Sequence, residues 1–206
     1  MSSSRERILG RLSSALQQKS APLTHQPRQI FPPVGDLAER FASECKSNYT
    51  ECVFTASSAE TQRAICEILS SLGDGDVFVE DVPELRARVN SGRKLIWSSR
   101  QPAPESSIAS ITGVEALVAA TGSLLVTSQC GGRGGTVVAP VHIAVANRSQ
   151  LVPDIEAALE LAEREGLPQK NSFVGIITGC SRTADIEKLL VIGAHGPKRL
   201  VVIIEG

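Results

Sequence analysis

Apolar residues recur along this chain with two periods, about 3.6 and 2, and the switches between them divide it into short elements. At the N-terminus, Ile8, Leu9, Leu12 and Leu16 fall on one stripe of a helix predicted over residues 4–18. The next stretch, SAPLTHQPRQIFPPVG, carries four prolines and no period, which predicts an extended arm. From residue 36 onward helices and strands alternate. DLAERFASECK reads as a helix, ECVFTA as a strand, and SAETQRAICEILSSL as a helix with Ala64, Ile65, Ile68, Leu69 and Leu72 on one face. DVFVE is a strand, PELRARVN a helix opened by proline, and KLIWSS another strand.

The second half repeats this rhythm. GVEALVAA reads as a short helix, SLLVTS as a strand, CGGRGG as a loop and VHIAVANR as a strand. VPDIEAALELAERE predicts a long helix with a Glu160–Arg164 pair at i,i+4. Then come the strand SFVGIIT, the loop GCSR, a helix over TADIEKLLVIG, the loop AHGPK and the strand RLVVIIE. Strands separated by helices imply an α/β fold with a mostly parallel sheet covered on both faces. No repeats are evident. The division is an N-terminal helix and proline-rich arm (1–35) and one α/β domain (36–206). The arm allows contact with a second copy, and hence a homo-oligomer.

Composition narrows the function classes. With 42% hydrophobic and 21% charged residues, the 206-residue chain can bury a real core. A formal net charge of −1 gives no basic field for nucleic acid or acidic membranes, and 3% aromatics argue against base stacking. No apolar run approaches the roughly 20 residues of a membrane span. Arg5, Arg7, Arg11 and Lys19 among serines fit a transit peptide, but Glu6 favours a docking helix, and no secretory h-region is present. A cytoplasmic location is expected. The five cysteines, at 45, 52, 66, 130 and 180, form no C-x-x-C pair or closely spaced ligand run, so neither metal nor cofactor is expected.

In sheets of this kind ligands bind at the carboxyl ends of strands, which directs attention to the loops after SLLVT and SFVGIIT. In GIITGCSRTADIEKLL, an apolar strand runs into Gly179, a polar loop and a predicted helix start. Free N–H groups there favour an anion, Ser181 and Thr183 add hydroxyls, and Arg182 can grip a carboxylate or phosphate. Simple capping by Ser181 or Thr183, with Asp185 complementing the dipole, is the competing reading. Thr121-Gly122 can bring backbone close to a ligand or merely end a helix. The glycines around Arg133 can close over an anion or form a hairpin tip. His142 and His195 are the histidines placed near these loops; two histidines alone do not make a metal site.

Taken together, ATGSLLV, PVHIAV, SRTADIE and AHGPK resemble the signature end of the lactate-utilization C family, the LUD domain, over roughly residues 110–206. That resemblance implies a Rossmann-like three-layer sandwich similar to the NagB/RpiA/CoA transferase-like fold of sugar-phosphate isomerases and CoA transferases. It also implies a non-redox subunit that acts with iron–sulfur partner proteins in oxidising L-lactate to pyruvate. The site would gather Thr121, Gly122, Ser181, Arg182, Thr183, Asp185 and His195 around a small carboxylate or phosphate. Two positions depart from the family pattern: Ala120 stands where an acidic residue is common, and Cys180 where proline is common. The alternatives are a stand-alone enzyme on a phosphorylated sugar or acyl-CoA, with Asp185 or Glu115 as its acid, and a scaffold with a vestigial pocket.

Overall fold

The structure is a computed structural model that describes residues 4–17, 32–184, 190–193 and 195–206. The chain divides into two units, Met1–Pro32 and Pro33–Gly206. In the first, α1 (Ser4–Gln17) forms where the apolar stripe predicted it.

The second unit runs α2 (Leu37–Ser47), β1 (Thr50–Thr55), α3 (Ser58–Ser70), β2 (Val77–Val79), α4 (Pro83–Arg88), β3 (Leu95–Trp97), β4 (Ala109–Thr112), β5 (Ala116–Val118) and β6 (Ser123–Thr127). It continues with α5 (Gly132–Gly135), β7 (Val141–Asn147), a 3-10 turn (Arg148–Gln150), β8 (Leu151–Val152), α6 (Ile155–Arg164) and α7 (Leu167–Lys170). β9 (Val174–Thr178), β10 (Arg182–Ala184), β11 (Leu190–Ile192) and β12 (Arg199–Glu205) complete it. The helix starts are set by local chemistry. Asp36 accepts the Ala38 and Glu39 N–H groups, Ser57 accepts that of Glu60, Asp154 accepts that of Ala157, and Pro83 opens α4.

Six strands form one sheet in the order β1-β12-β7-β4-β2-β3, and every neighbouring pair is parallel. The α/β fold with a mostly parallel sheet is therefore as the alternation predicted. Side chains of β12 alternate between two cores: Val201 and Ile203 pack with Ile65, Leu69 and Leu85 of α3 and α4. Leu200, Val202 and Ile204 pack with Phe41, Cys45, Leu117 and Leu124 on the opposite face. That opposite face is covered by α2 and by a second sheet, β8-β5-β6-β9, which the sequence pattern did not indicate. The second sheet in turn packs Ala116, Val118 and Leu125 against Ala158 and Ala162 of α6.

Two predicted helices are strands. Residues 116–118, within GVEALVAA, form β5, every residue of which is buried. A short apolar run buried on both faces shows no period to separate strand from helix, and its Ala and Leu content favoured the wrong one. TADIEKLLVIG does not run as one helix either: Arg182–Ala184 pairs antiparallel with Leu190–Ile192. Ser181 ties the ends of this hairpin, donating its N–H to Pro197 O at 2.8 Å and accepting the Gly193 N–H at 2.7 Å. Arg164 ion-pairs with Glu165 at 3.2 Å rather than forming the expected pair with Glu160. Among the described residues no helix is long and apolar enough to cross a membrane.

Candidate functional site

A cavity of about 280 Å3 lies where the C-terminal end of β9 meets the first residues of β7 and β12. Four of the expected residues line it together: His142, Gly179, Ser181 and His195. The loop after β9 lines this cavity, but β9 belongs to the second sheet. Relative to the parallel sheet, His142 and Leu200 are each the second residue of their strand, so the cavity sits at the amino ends of the parallel strands.

His142 is the chemical centre of this cavity. It is fully buried, and desolvation pulls its imidazole down to about 4, so the ring is neutral at physiological pH. Thr112 Oγ1 has one proton and donates it to the Gly113 carbonyl at 2.9 Å. The 2.9 Å contact between Thr112 Oγ1 and His142 Nε2 is then donated by the imidazole. With the Thr112 proton on Gly113 the imidazole is the Nε2–H tautomer and Nδ1 is a lone-pair acceptor; Nδ1 is buried and has no hydrogen-bond partner among the described residues. Ser110, its register partner on β4, carries a second buried and unpartnered polar atom, Oγ. An unmet buried acceptor costs on the order of 1–3 kcal/mol.

The remaining wall comes from three segments. Thr136 and Val137 follow α5, residues 176–181 bring β9 and its loop, and residues 195–197 close the other side. Thr178 is tied inward by a hydroxyl chain, with Thr178 Oγ1 and Thr121 Oγ1 each 2.7 Å from Ser123 Oγ. Thr112, Thr178 and Thr136 were not singled out from the sequence. Thr178 had a signal, since it directly precedes Gly179; Thr112 is found only through its register beside His142.

The other expected residues are placed elsewhere. Thr121 reaches the cavity only through that hydroxyl chain. Gly122 has φ +61°, and a Cβ there would lie 2.8 Å from Cys45 N, so this glycine serves the close packing of the turn on α2. Asn48 Nδ2 and Arg40 Nη2 hold the same turn by the carbonyls of Thr121 and Ala120, at 2.9 and 3.5 Å. Gly179 likewise has φ +74° and faces the Asn48 carbonyl. Arg182 stacks over the Tyr49 ring at 5.7 Å and does not line the cavity. Arg133 lines a different cavity and donates to Ser172 O at 2.7 Å. Thr183 lies in β10, whereas Asp185 is outside the described residues. Among the described residues the expected helix start at this loop is replaced by the pairing of β10 with β11. Cys180 is buried in the cavity wall. Among the described residues, no group of three or more His, Cys, Asp or Glu side chains is arranged to hold a metal ion.

Comparison with known proteins places this geometry in context. Residues 103–204 match the LUD domain family, a span containing every expected site residue. Lactate utilization protein C of Geobacillus thermodenitrificans is 30% identical over 189 residues, covering 82% of this chain and 78% of the relative. Lactate utilization protein C of Macrococcus caseolyticus is 22% identical over 220 residues, covering 96% of this chain and 94% of the relative. A crystal structure of a DUF162 family protein from Deinococcus radiodurans shares the fold, with TM-score 0.63 and 18% identity, covering 82% of this chain and 96% of that one.

Proposed function

The chain belongs to the LUD-domain family of lactate utilization protein C, and from that membership we propose that it serves lactate utilization as a subunit without a redox centre of its own. Oxidising lactate to pyruvate removes two electrons and two protons. The cysteines at 45, 52, 66, 130 and 180 are all free and are not spaced as cluster ligands; in the role the family resemblance implies, iron–sulfur partner proteins take the electrons. Free thiols also fit a reducing compartment, the cytoplasm.

Within that role, the His142 cavity holds a small hydroxy acid. The observation that carries this reading is the buried Nδ1 acceptor without a partner in a cavity smaller than those of drug-sized ligands. A ligand hydroxyl donates to Nδ1, while Ser181, Thr178 and His195 supply polar contacts for the carboxylate. Among the described residues no arginine or lysine lines this cavity, so carboxylate recognition rests on hydroxyl and imidazole groups. The chain's part is to bind and orient.

Genetics and purification test the role together. A strain lacking the gene fails to grow on L-lactate, regains growth with the wild-type gene, and does not with His142→Phe. The tagged wild-type protein co-purifies with iron–sulfur proteins from lactate-grown cells. Unimpaired growth of the deletion strain on L-lactate, or a tagged protein recovered without any iron–sulfur partner, contradicts the proposal.

A further inference from the structure

A second cavity, of about 560 Å3, opens beside the carboxyl end of β3, and two arginines from different segments line it: Arg100, after β3, and Arg133, in α5. It lies one strand away from the position where parallel α/β sheets bind ligands. β4 and β2 are neighbours whose onward connections leave in opposite directions, toward β7 and β3 respectively, and such a switch point opens a crevice at the carboxyl ends. That crevice is closed at its base by Glu80, whose carboxylate accepts the Gly113 N–H at 2.7 Å. The cavity lies one strand over, joined to it through Asp81, whose N–H donates to Ser98 Oγ at 2.9 Å.

The two arginines here are less committed than the others. Arg86 is bidentate on Asp81, Arg88 on Glu205 and Arg199 on Glu51. Arg93 is spent on the carbonyls of Leu69, Leu72 and Gly73. Among the described residues Arg100 has no carboxylate at ion-pairing distance; Asp81, which feels its charge, is held by Arg86 and Ser99. Arg133 spends one nitrogen on Ser172 O and keeps the rest of its fork. Among the described residues no Asp or Glu lines the cavity, so a chain of net charge −1 brings two guanidiniums to one space, with Asp81 behind the wall as the nearby carboxylate.

We propose that this cavity binds a phosphate group of a small metabolite, clamped between Arg100 and Arg133. One guanidinium satisfies the two oxygens of a carboxylate, whereas two forks from separate segments match the three terminal oxygens and higher charge of a phosphate. The volume is in the range of small-molecule sites, which leaves room for the remainder of a metabolite. The site is separate from the His142 cavity and stands whether or not that cavity takes a hydroxy acid.

Isothermal titration of the full chain at low ionic strength tests it, with pyrophosphate and ADP as probes. Both bind. Arg100→Ala and Arg133→Ala each weaken pyrophosphate at least about tenfold, as expected for charge-assisted bonds. Arg133→Lys, which keeps the charge but loses the fork, also weakens it. Arg63→Ala removes the same charge from an exposed position on α3 and leaves the affinity unchanged. Absence of pyrophosphate binding, or an equal loss in Arg63→Ala, overturns the site. Rejection of ADP by a protein that binds pyrophosphate overturns the assignment to a metabolite.

Discussion

Glu80 and His142 are buried groups whose proton affinities shift in opposite ways, so each conceals the effect of the other on stability. Desolvation raises the Glu80 carboxyl from its ordinary 4.5 to about 7, against the Gly113 N–H bond that opposes it, with Glu115 and Glu84 adding to the rise. Desolvation lowers His142 from 6.5 to about 4. The stabilisation linked to Glu80 is fully present below pH 4.5 and is lost as pH rises through about 7. The stabilisation linked to neutral His142 is present above pH 6.5 and is lost as pH falls through about 4. Between pH 6.5 and 4.5 each contributes on the order of 2 kcal/mol, with opposite sign, at about 1.4 kcal/mol per proton per pH unit. The wild type therefore shows a flat stability over this interval. Glu80→Gln keeps an oxygen to accept the Gly113 N–H but removes the titration, so the variant loses about 2 kcal/mol on acidification. His142→Asn gains about the same on acidification. Urea unfolding at half-unit pH steps reads these slopes as a midpoint shift on the order of 1 M. If Glu80→Gln has the pH profile of the wild type, Glu80 is not protonated in the fold at pH 6 and the reasoning fails.

Two further substitutions test how the site is held. Gly122→Ala forces a side chain into the left-handed region at φ +61° and to within 2.8 Å of the α2 backbone at Cys45 N. The expected cost is about 3 kcal/mol, seen as a melting temperature roughly 6–12 °C lower; an unchanged melting temperature would show that the turn is not packed on α2. Glu205→Gln breaks the bidentate pair with Arg88, at 2.7 and 2.9 Å, in which both side chains are more than four-fifths buried. Chemical denaturation at pH 7 should show a loss of about 2 kcal/mol. The gap from wild type should narrow as pH falls below 4.5, because Arg88 holds the Glu205 carboxyl below that ordinary value.

The parallel sheet was legible because β-branched strands such as VHIAV and RLVVIIE alternate with capped amphipathic helices, and each of those signals is local. The second sheet was not, because β5 and β6 are buried on every residue and lose the alternation that marks a one-sided strand. The pairing of 182–184 with 190–192 overrode a plausible helix start through backbone bonds of Ser181 with Pro197 and Gly193, which lie beyond the i→i+4 reach of a helix. Of the site, the loop Gly179–Ser181 and the two histidines were readable as small, polar or titratable residues at segment ends. What made His142 informative was not: its tautomer depends on Thr112, thirty residues away in sequence and one strand away in the sheet. The Arg100 cavity was only half visible, since Arg133 stood among glycines while Arg100 carried no motif.

Direct binding decides the central claim that the His142 cavity receives a hydroxy acid through an acceptor nitrogen. Calorimetric titration of the purified chain with L-lactate and with pyruvate compares a ligand whose hydroxyl can donate to Nδ1 with one whose keto oxygen only accepts. The account predicts that L-lactate binds at least about tenfold more tightly than pyruvate, the worth of one buried hydrogen bond. It also predicts that His142→Phe abolishes the preference while leaving the fold intact. Equal affinity for the two acids, tighter binding of pyruvate, or a preference for lactate that survives in His142→Phe would contradict it.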